Sequence, residues 1–405
     1  MKYVLINSWC KRGSTGKIVY NLFNHIKSEG HEVYFFHGKL DDTDEENIIR
    51  ITSEAGLRVH GALARITGLQ GCFSNSETKT LIRRIEEINP DYVYLFNLHG
   101  YYVNEFKLLN YLKKRRQKTI YMLFDEYPYL GKCCFSEGCE KFKTECNKCP
   151  KVRDYPKSLL FDRSNYLFQQ KKAAYDGWKE LHFAGVKYIE ECASQSTLAK
   201  NIPFHTFNMG IDIKSTYYPR KHTEVQNKFK IPSDKIVVLT VGFSSDKRKG
   251  IEKYIELAKR CVSRTAVVFV HVGYDVEICK ELPDNYIPIK YVGNQQEMAE
   301  LYSMADLYIT TSSGEAMSNA CLEAMACGTP IAGFDVSGMS YLAPNPIGTY
   351  IPYGDINSFV EVVEKLKKKT AEGKQQCRKY AEEHYNLEDF MRNLYGVSLE
   401  LGDQI

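Results

Sequence analysis

Short apolar runs alternate with longer segments whose apolar residues repeat at helical spacing. The first run, KYVLIN (Lys2 to Asn7), is followed by GSTGKIVYNLFNHIKSEG, in which Ile18, Leu22, Phe23 and Ile26 fall on one helical face. EVYFFHG, DYVYLFNLHG and KTIYMLF read as further buried strands. A second series starts near Asp234 with DKIVVLTVG and continues through TAVVFVHVG, IPIKYVG, ADLYITTSS and TPIAGFD. Each of these except the last precedes a helix-like segment; the last leads into a Gly- and Pro-containing loop ending near GTYIPYG, and the chain from Asp355 onward reads as helices. This alternation predicts an α/β protein with parallel sheets covered by helices on both faces. Between Asn208 and Ile231 the sequence is irregular and polar, carries Tyr217, Tyr218 and Pro219, and reads as a linker. The expected division is a Rossmann-like domain over 1–210, a second over 211–385 and a terminal helix over 386–405 placed on the first domain. Two such domains make a deep cleft faced by the carboxyl ends of their strands.

A chain of 405 residues suits two domains rather than one. A formal net charge of +4 is far too small to argue for a nucleic-acid partner. No apolar run approaches the roughly 20 residues that span a bilayer. The start, MKYVLINSWC, lacks the longer apolar stretch and cleavage site of a signal peptide, so a cytoplasmic protein is expected. In that setting 13 cysteines point to thiols or a metal rather than disulfides.

Candidate chemistry is densest in SSGEAMSNACLEAMACGTPIAG. Glu315 sits in the loop after a strand, and Glu323, with seven residues between the two, lies about one turn inside the helix that follows. That helix starts near Ser318 or Asn319, so the amides of Met317, Ser318, Asn319 and Ala320 stand at its amino terminus, where phosphate is attracted. Carboxylates accept two hydrogen bonds at once, which suits sugar or ribose hydroxyls; first-turn acids are also common in helices with no ligand. In VGFSSDKRKGIEKYIELAKR the strand ends at Gly242, and Arg248 and Lys249 stand at the turn before a helix starting near Gly250. Two cations there can hold a diphosphate, or simply form a solvated basic loop. In GSTGKI, Gly13 and Gly16 allow close backbone approach, and Ser14 and Thr15 are placed to cap the helix and donate to phosphate. The spacing is not that of a Walker motif.

The Glu315–Glu323 segment resembles the donor-binding signature of family 4 of the glycosyltransferases, a retaining family with the GT-B fold, and the order of elements from Asp234 to Asp355 follows the same family. The resemblance implies that Glu315 contacts the transferred sugar and Glu323 the ribose of a UDP or GDP sugar. It implies that Lys249 neutralises the leaving group, while the family's arginine position holds Phe243 and Ser244, leaving Arg248 as the substitute. The Gly13–Gly16 turn is implied to close over the donor phosphates, and the base pocket is placed near Tyr291, Val292 and Asn294. The chemistry implied is transfer to an acceptor hydroxyl with retention and no metal at the catalytic centre. A sugar-nucleotide epimerase and a non-catalytic sugar-nucleotide or partner-binding protein are the rival readings.

Five cysteines lie within seventeen positions in GKCCFSEGCEKFKTECNKCP. Cys133, Cys139, Cys146 and Cys149 suit a closed four-thiolate structural zinc site, with Cys134 spare, or remain free thiols. This pattern, with GSTGKI and NLHGYYVN, is similar to the branch of family 4 containing colanic-acid and capsular-polysaccharide glycosyltransferases, which implies cell-surface polysaccharide biosynthesis and a saccharide or lipid-linked saccharide acceptor. That branch carries His-Asp before the cysteine loop, where this chain has Phe124 and Asp125; His99, ending the neighbouring strand, is the candidate to fill the same space. The basic run Lys113, Lys114, Arg115, Arg116 and Lys118 reads first as the close of a helix and second as a peripheral contact with the inner face of the cell membrane.

Overall fold

Each of the two series of apolar runs forms its own parallel sheet. The computed structural model describes residues 1–39, 43–277, 279 and 281–402, so the last three positions of the expected 386–405 helix lie outside the described residues. The chain divides into unit 1, Met1–Phe207 with the chain from Met391 on, and unit 2, Asn208–Phe390.

Unit 1 contains strands β1 (Lys2–Asn7), β2 (Glu32–His37), β3 (Ile48–Arg50), β4 (Tyr92–Leu95), β5 (Thr119–Leu123), β6 (Leu181–Gly185) and β7 (Phe204–Thr206), in the order β3-β2-β1-β4-β5-β6-β7. Its helices are α1 (Gly13–Ser28), α2 (Glu54–Thr67), α3 (Asn75–Ile88), α4 (Glu105–Lys114), α5 (Ser164–Tyr175) and α6 (Lys187–Gln195). The central strands β4, β5 and β6 are buried along their whole length, as expected of a parallel sheet covered on both faces. Helix α1 buries the predicted stripe, Ile18, Leu22, Phe23 and Ile26, and Val19 beside it; fully burying side chains of this kind contributes about 1.5–3 kcal/mol each.

Unit 2 contains β8 (Ile236–Val241), β9 (Val267–Val272), β10 (Tyr286–Ile289), β11 (Leu307–Thr310), β12 (Ile331–Phe334) and β13 (Gly348–Ile351), in the order β10-β9-β8-β11-β12-β13. Its helices are α7 (Thr223–Lys228), α8 (Ile251–Arg260), α9 (Gln295–Met304), α10 (Asn319–Ala326), α11 (Ile356–Lys365) and α12 (Ala371–His384). A last helix, α13 (Leu387–Gly402), begins in unit 2 and continues into unit 1, where the Tyr94 hydroxyl donates to the Leu394 carbonyl at 2.9 Å. In both sheets the strand order reverses beside the first strand of the unit, between β1 and β4 and between β8 and β11. Open α/β sheets bind ligands beyond the strand ends at such a reversal.

Two features depart from the sequence reading. The segment expected as a linker is packed: Ile211, Ile213, Tyr217, Val225 and Ile231 are buried in the core of unit 2, and α7 forms within it. Its apolar anchors are too widely spaced to show a period. Strands β3 and β7, three residues each at the sheet edges, are too short to alternate visibly. The basic run closes α4 as expected, with Lys113 and Lys114 in its last turn and Arg115 as its C-cap.

His60 of α2 is buried, with Nδ1 2.8 Å from Ser74 Oγ, and burial holds its imidazole down to about 4. The unfolded chain binds this proton more tightly, so the contribution is present above pH 6.5 and is lost as pH falls towards about 4. Urea unfolding across this window should show a steeper loss of stability in the wild type than in His60→Asn, by at most about 3 kcal/mol. Parallel profiles for the two proteins would contradict the assignment.

Candidate functional site

In unit 2 the loops after β8 and β11 flank the strand-order reversal and are stitched together. Lys247–Lys249 form a 3-10 turn whose N-cap, Asp246, accepts the Arg248 amide at 3.1 Å. The Arg248 carbonyl accepts the Ser313 amide at 2.8 Å, and Thr311 Oγ1 donates to the Lys249 and Gly250 carbonyls at 3.1 and 2.8 Å. Gly250 has φ +60, and a β-carbon there would stand 2.2 Å from the Thr311 carbonyl oxygen, so only glycine allows this approach. At Gly242 the same replacement would crowd the stem of Lys249, whose Cγ would lie 3.1 Å away.

This stitching brings both cations onto one carboxylate. Lys249 Nζ is 2.6 Å and Arg248 Nη1 3.3 Å from Glu315 Oε1, and Ser312 Oγ donates to the same oxygen at 2.9 Å. Oε2 is the oxygen that none of the three touches. Arg248 also donates to the Gly314 carbonyl at 2.8 Å, and Phe243, at the position where the family has arginine, is exposed. Burial pushes the Glu315 carboxyl up, but the Lys249 and Arg248 charges outweigh it and hold it below the usual carboxylate value. Three residues further on, Ser318 is the N-cap of α10 and makes no side-chain cap hydrogen bond. The Cys321 amide donates to the Ser318 carbonyl at 3.0 Å, and the helix start has no side-chain cap. Glu323, one turn inside α10, accepts from the Tyr302 hydroxyl at 2.9 Å on Oε2. Tyr291 lies mostly exposed beyond β10 and Val292 packs into the core; no described hydrogen bond or ion pair joins either to the Glu315 group.

In unit 1 the Gly13–Gly16 turn follows β1 at the reversal, but Ser14 and Thr15 do not cap the helix. The N-cap is Arg12, so α1 starts at Gly13 and both hydroxyl residues lie inside its first turn. His99, after β4, and Asp125, after β5, meet: Nε2 stands 2.8 Å from Oδ2, and His99 Nδ1 is 3.2 Å from the Tyr155 hydroxyl. Burial alone would lower the His99 imidazole; Cys134, Asp125 and Tyr155 outweigh it and raise it well above its ordinary value. Phe124 stacks on Phe96 with ring centres 5.8 Å apart.

The cysteine loop separates its two adjacent thiols. Cys133 lines a cavity of about 20 Å³ with Cys139, Cys146 and Cys149, whereas Cys134 faces His99. The Gly131 amide donates to Cys146 Sγ at 3.3 Å, and the Lys151 amide donates to Cys149. Such bonds favour anionic sulfur, and the Cys133 thiol beside it helps hold Cys149 down to about 6. Among the described residues, no three of these four sulfurs lie mutually within 4.8 Å. The donor set and its amide support fit zinc.

Residues 221–384 match the model of the family described as glycosyl transferases group 1. The putative colanic acid biosynthesis glycosyl transferase WcaC of Escherichia coli K12 is 23% identical over 203 residues, 47% of this chain and 48% of that one. The chain spans about half or less of the length of the curated relatives it matches. Sucrose-phosphate synthase from Thermosynechococcus elongatus superposes over 100% of both chains with a TM-score of 0.70 at 15% identity. Anabaena HepE, solved with UDP-glucose, superposes over 98% of this chain and 99% of its own with a TM-score of 0.61 at 13% identity. The family match lies within unit 2. The two Rossmann-like parallel-sheet units have GT-B proteins as their structural neighbours.

Within the matched segment, the sequence singles out Glu315, Glu323, Lys249 and Arg248 but not Ser312 and Tyr302, whose hydroxyls donate to the two carboxylates. Both were visible only as a strand-end hydroxyl and a helical aromatic. Lys249→Met should leave buried Glu315 one cation short and cost about 1–2 kcal/mol, discounted because the lysine is partly exposed. Adding Glu315→Gln should recover part of that loss in urea unfolding. Strictly additive losses would show that the pair is not coupled.

Proposed function

We propose that this protein transfers a sugar from a nucleoside diphosphate sugar, with UDP or GDP as the nucleotide, to an acceptor hydroxyl with retention of configuration. The observation that carries the reading is the Lys249–Glu315–Arg248 group at the strand-order reversal of unit 2, three residues before the N-cap of α10. Lys249 and Arg248 meet the negative charge that develops on the leaving diphosphate, and the amino-terminal amides of α10 add a fixed dipole. Glu315 uses Oε1 to align the cations and Oε2 to accept from the sugar. Glu323, oriented by Tyr302, accepts the ribose hydroxyls. The leaving phosphate oxygen takes the acceptor proton on the same face of the sugar, so retention needs no protein base. Unit 1 is assigned the acceptor, a saccharide or lipid-linked saccharide, in keeping with the colanic acid role in the name of WcaC. The site of action is the cytoplasm, with the run Lys113–Arg116 able to touch an anionic inner membrane face.

The four thiols Cys133, Cys139, Cys146 and Cys149 are assigned to a structural zinc, which would tie the loop between β5 and α5. Four thiolates leave no position for substrate, so this ion would act on folding alone.

Assays with a panel of UDP and GDP sugars test the transfer reading. Glu323→Ala should weaken nucleotide binding by about 1.5–3 kcal/mol, the worth of hydrogen bonds to a charged group. Glu315→Ala should chiefly slow turnover. Unchanged nucleotide affinity in the first variant and unchanged turnover in the second would remove the assignment. For the zinc, Cys146→Ser should contain about one fewer metal ion per chain and unfold at a lower temperature than the wild type. Equal metal content in the two proteins would sink it.

A further inference from the structure

We propose that His99, Asp125 and Cys134 form a second metal site, separate from the four-thiol cavity and binding one divalent transition-metal ion with an open coordination position. The three side chains come from different places: His99 follows β4, Asp125 follows the adjacent β5, and Cys134 enters from the loop beyond it. All three are buried, at 9%, 9% and 6% exposure. One imidazole nitrogen, one carboxylate oxygen and the sulfur lie within 4.8 Å of one another, the only such group of three among the described residues.

Each ligand is aimed by a bond made elsewhere. His99 Nδ1 pairs with the Tyr155 hydroxyl at 3.2 Å, which turns Nε2 towards Asp125. Asp125 Oδ1 accepts the Tyr127 amide at 3.0 Å, which leaves Oδ2 facing the imidazole. The Cys134 carbonyl accepts the Glu126 amide at 2.9 Å, fixing this thiol against the end of β5. Supporting bonds of this kind orient metal ligands and set the imidazole tautomer. A histidine–aspartate hydrogen bond by itself requires neither a buried sulfur nor a separate anchor on each partner.

The donor set names the class of ion. One nitrogen, one carboxylate oxygen and one sulfur suit Zn²⁺, Co²⁺ or Fe²⁺, and the sulfur and imidazole disfavour Mg²⁺ and Ca²⁺. Metal–ligand bonds of about 2.0–2.3 Å would spread the donor atoms to about 3.3–3.8 Å. Nε2 and Oδ2 stand 2.8 Å apart, so the pair would open by about half an ångström. Binding displaces the thiol proton and the proton between imidazole and carboxylate. The resulting carboxylate and thiolate balance the charge of the ion. Three protein ligands leave a fourth position for water or a hydroxyl oxygen.

Elemental analysis and native mass spectrometry of the purified full chain test this site, with wild type, Cys134→Ser, Asp125→Asn and Cys146→Ser compared. Cys134→Ser and Asp125→Asn should each hold one ion fewer than the wild type while their far-ultraviolet circular dichroism stays the same. Titration of stripped Cys146→Ser with Co²⁺ should still give a sulfur-to-cobalt charge-transfer band, and adding Cys134→Ser should abolish it. The Cys146 variant thus separates failure of this site from failure of the four-thiol site. Equal metal content in wild type, folded Cys134→Ser and folded Asp125→Asn, or a cobalt band that survives loss of Cys134, would overturn the proposal.

Discussion

A carboxylate with 7% exposure needs cations beside it, and Glu315 has two. That pairing joins residues 66 positions apart in sequence. It is possible because β8 and β11 are neighbours at the strand-order reversal, which delivers the turn holding Arg248 and Lys249 and the loop holding Glu315 to the same end of the sheet. The requirement propagates outward. Gly250 must lack a side chain so that the turn can lie on Thr311, Gly242 must leave room for the lysine stem, and Ser312 must supply a third donor. The result is a fixed arrangement of charge beside the start of α10.

Much of this was legible in the chain because it rests on local pattern. The alternation of apolar runs predicts two parallel sheets, and the break between strand and helical period places a helix start near Ser318 or Asn319, where α10 begins with Ser318 as its N-cap. What the pattern could not show is pairing across distance. Arg248 looked like a residue in a basic turn, and only the backbone bond from Ser313 to its carbonyl explains why its guanidinium reaches Glu315. Local chemistry also misled at α1, where two hydroxyl residues after a strand suggested a cap, yet the helix begins before them at Gly13. The segment over 208–231 misled for the opposite reason: scattered apolar residues without a period look like a tether, although Ile211, Ile213 and Tyr217 are buried.

Unit 1 shows how one sequence step can divide two environments. Cys133 and Cys134 are indistinguishable in the string, and spacing alone makes one of them spare. In the fold the first lines the thiol cavity while the second meets His99 and Asp125, because the backbone bond between Glu126 and Cys134 sets which face each side chain takes. His99 likewise reads as an isolated strand-end histidine until the pairing of β4 with β5 places Asp125 against it.

The central claim is that the cations of unit 2 hold the second phosphate of a nucleotide. Calorimetric titration of UDP, UMP, GDP and GMP into the wild type, Arg248→Ala and Lys249→Ala tests it most directly. For one of the two bases, the diphosphate should bind the wild type roughly 10- to 100-fold more tightly than the monophosphate, as a charge-assisted contact of about 1.5–3 kcal/mol requires. That preference should shrink in each variant. A diphosphate preference that survives both substitutions unchanged, or no preference in the wild type, would contradict the account.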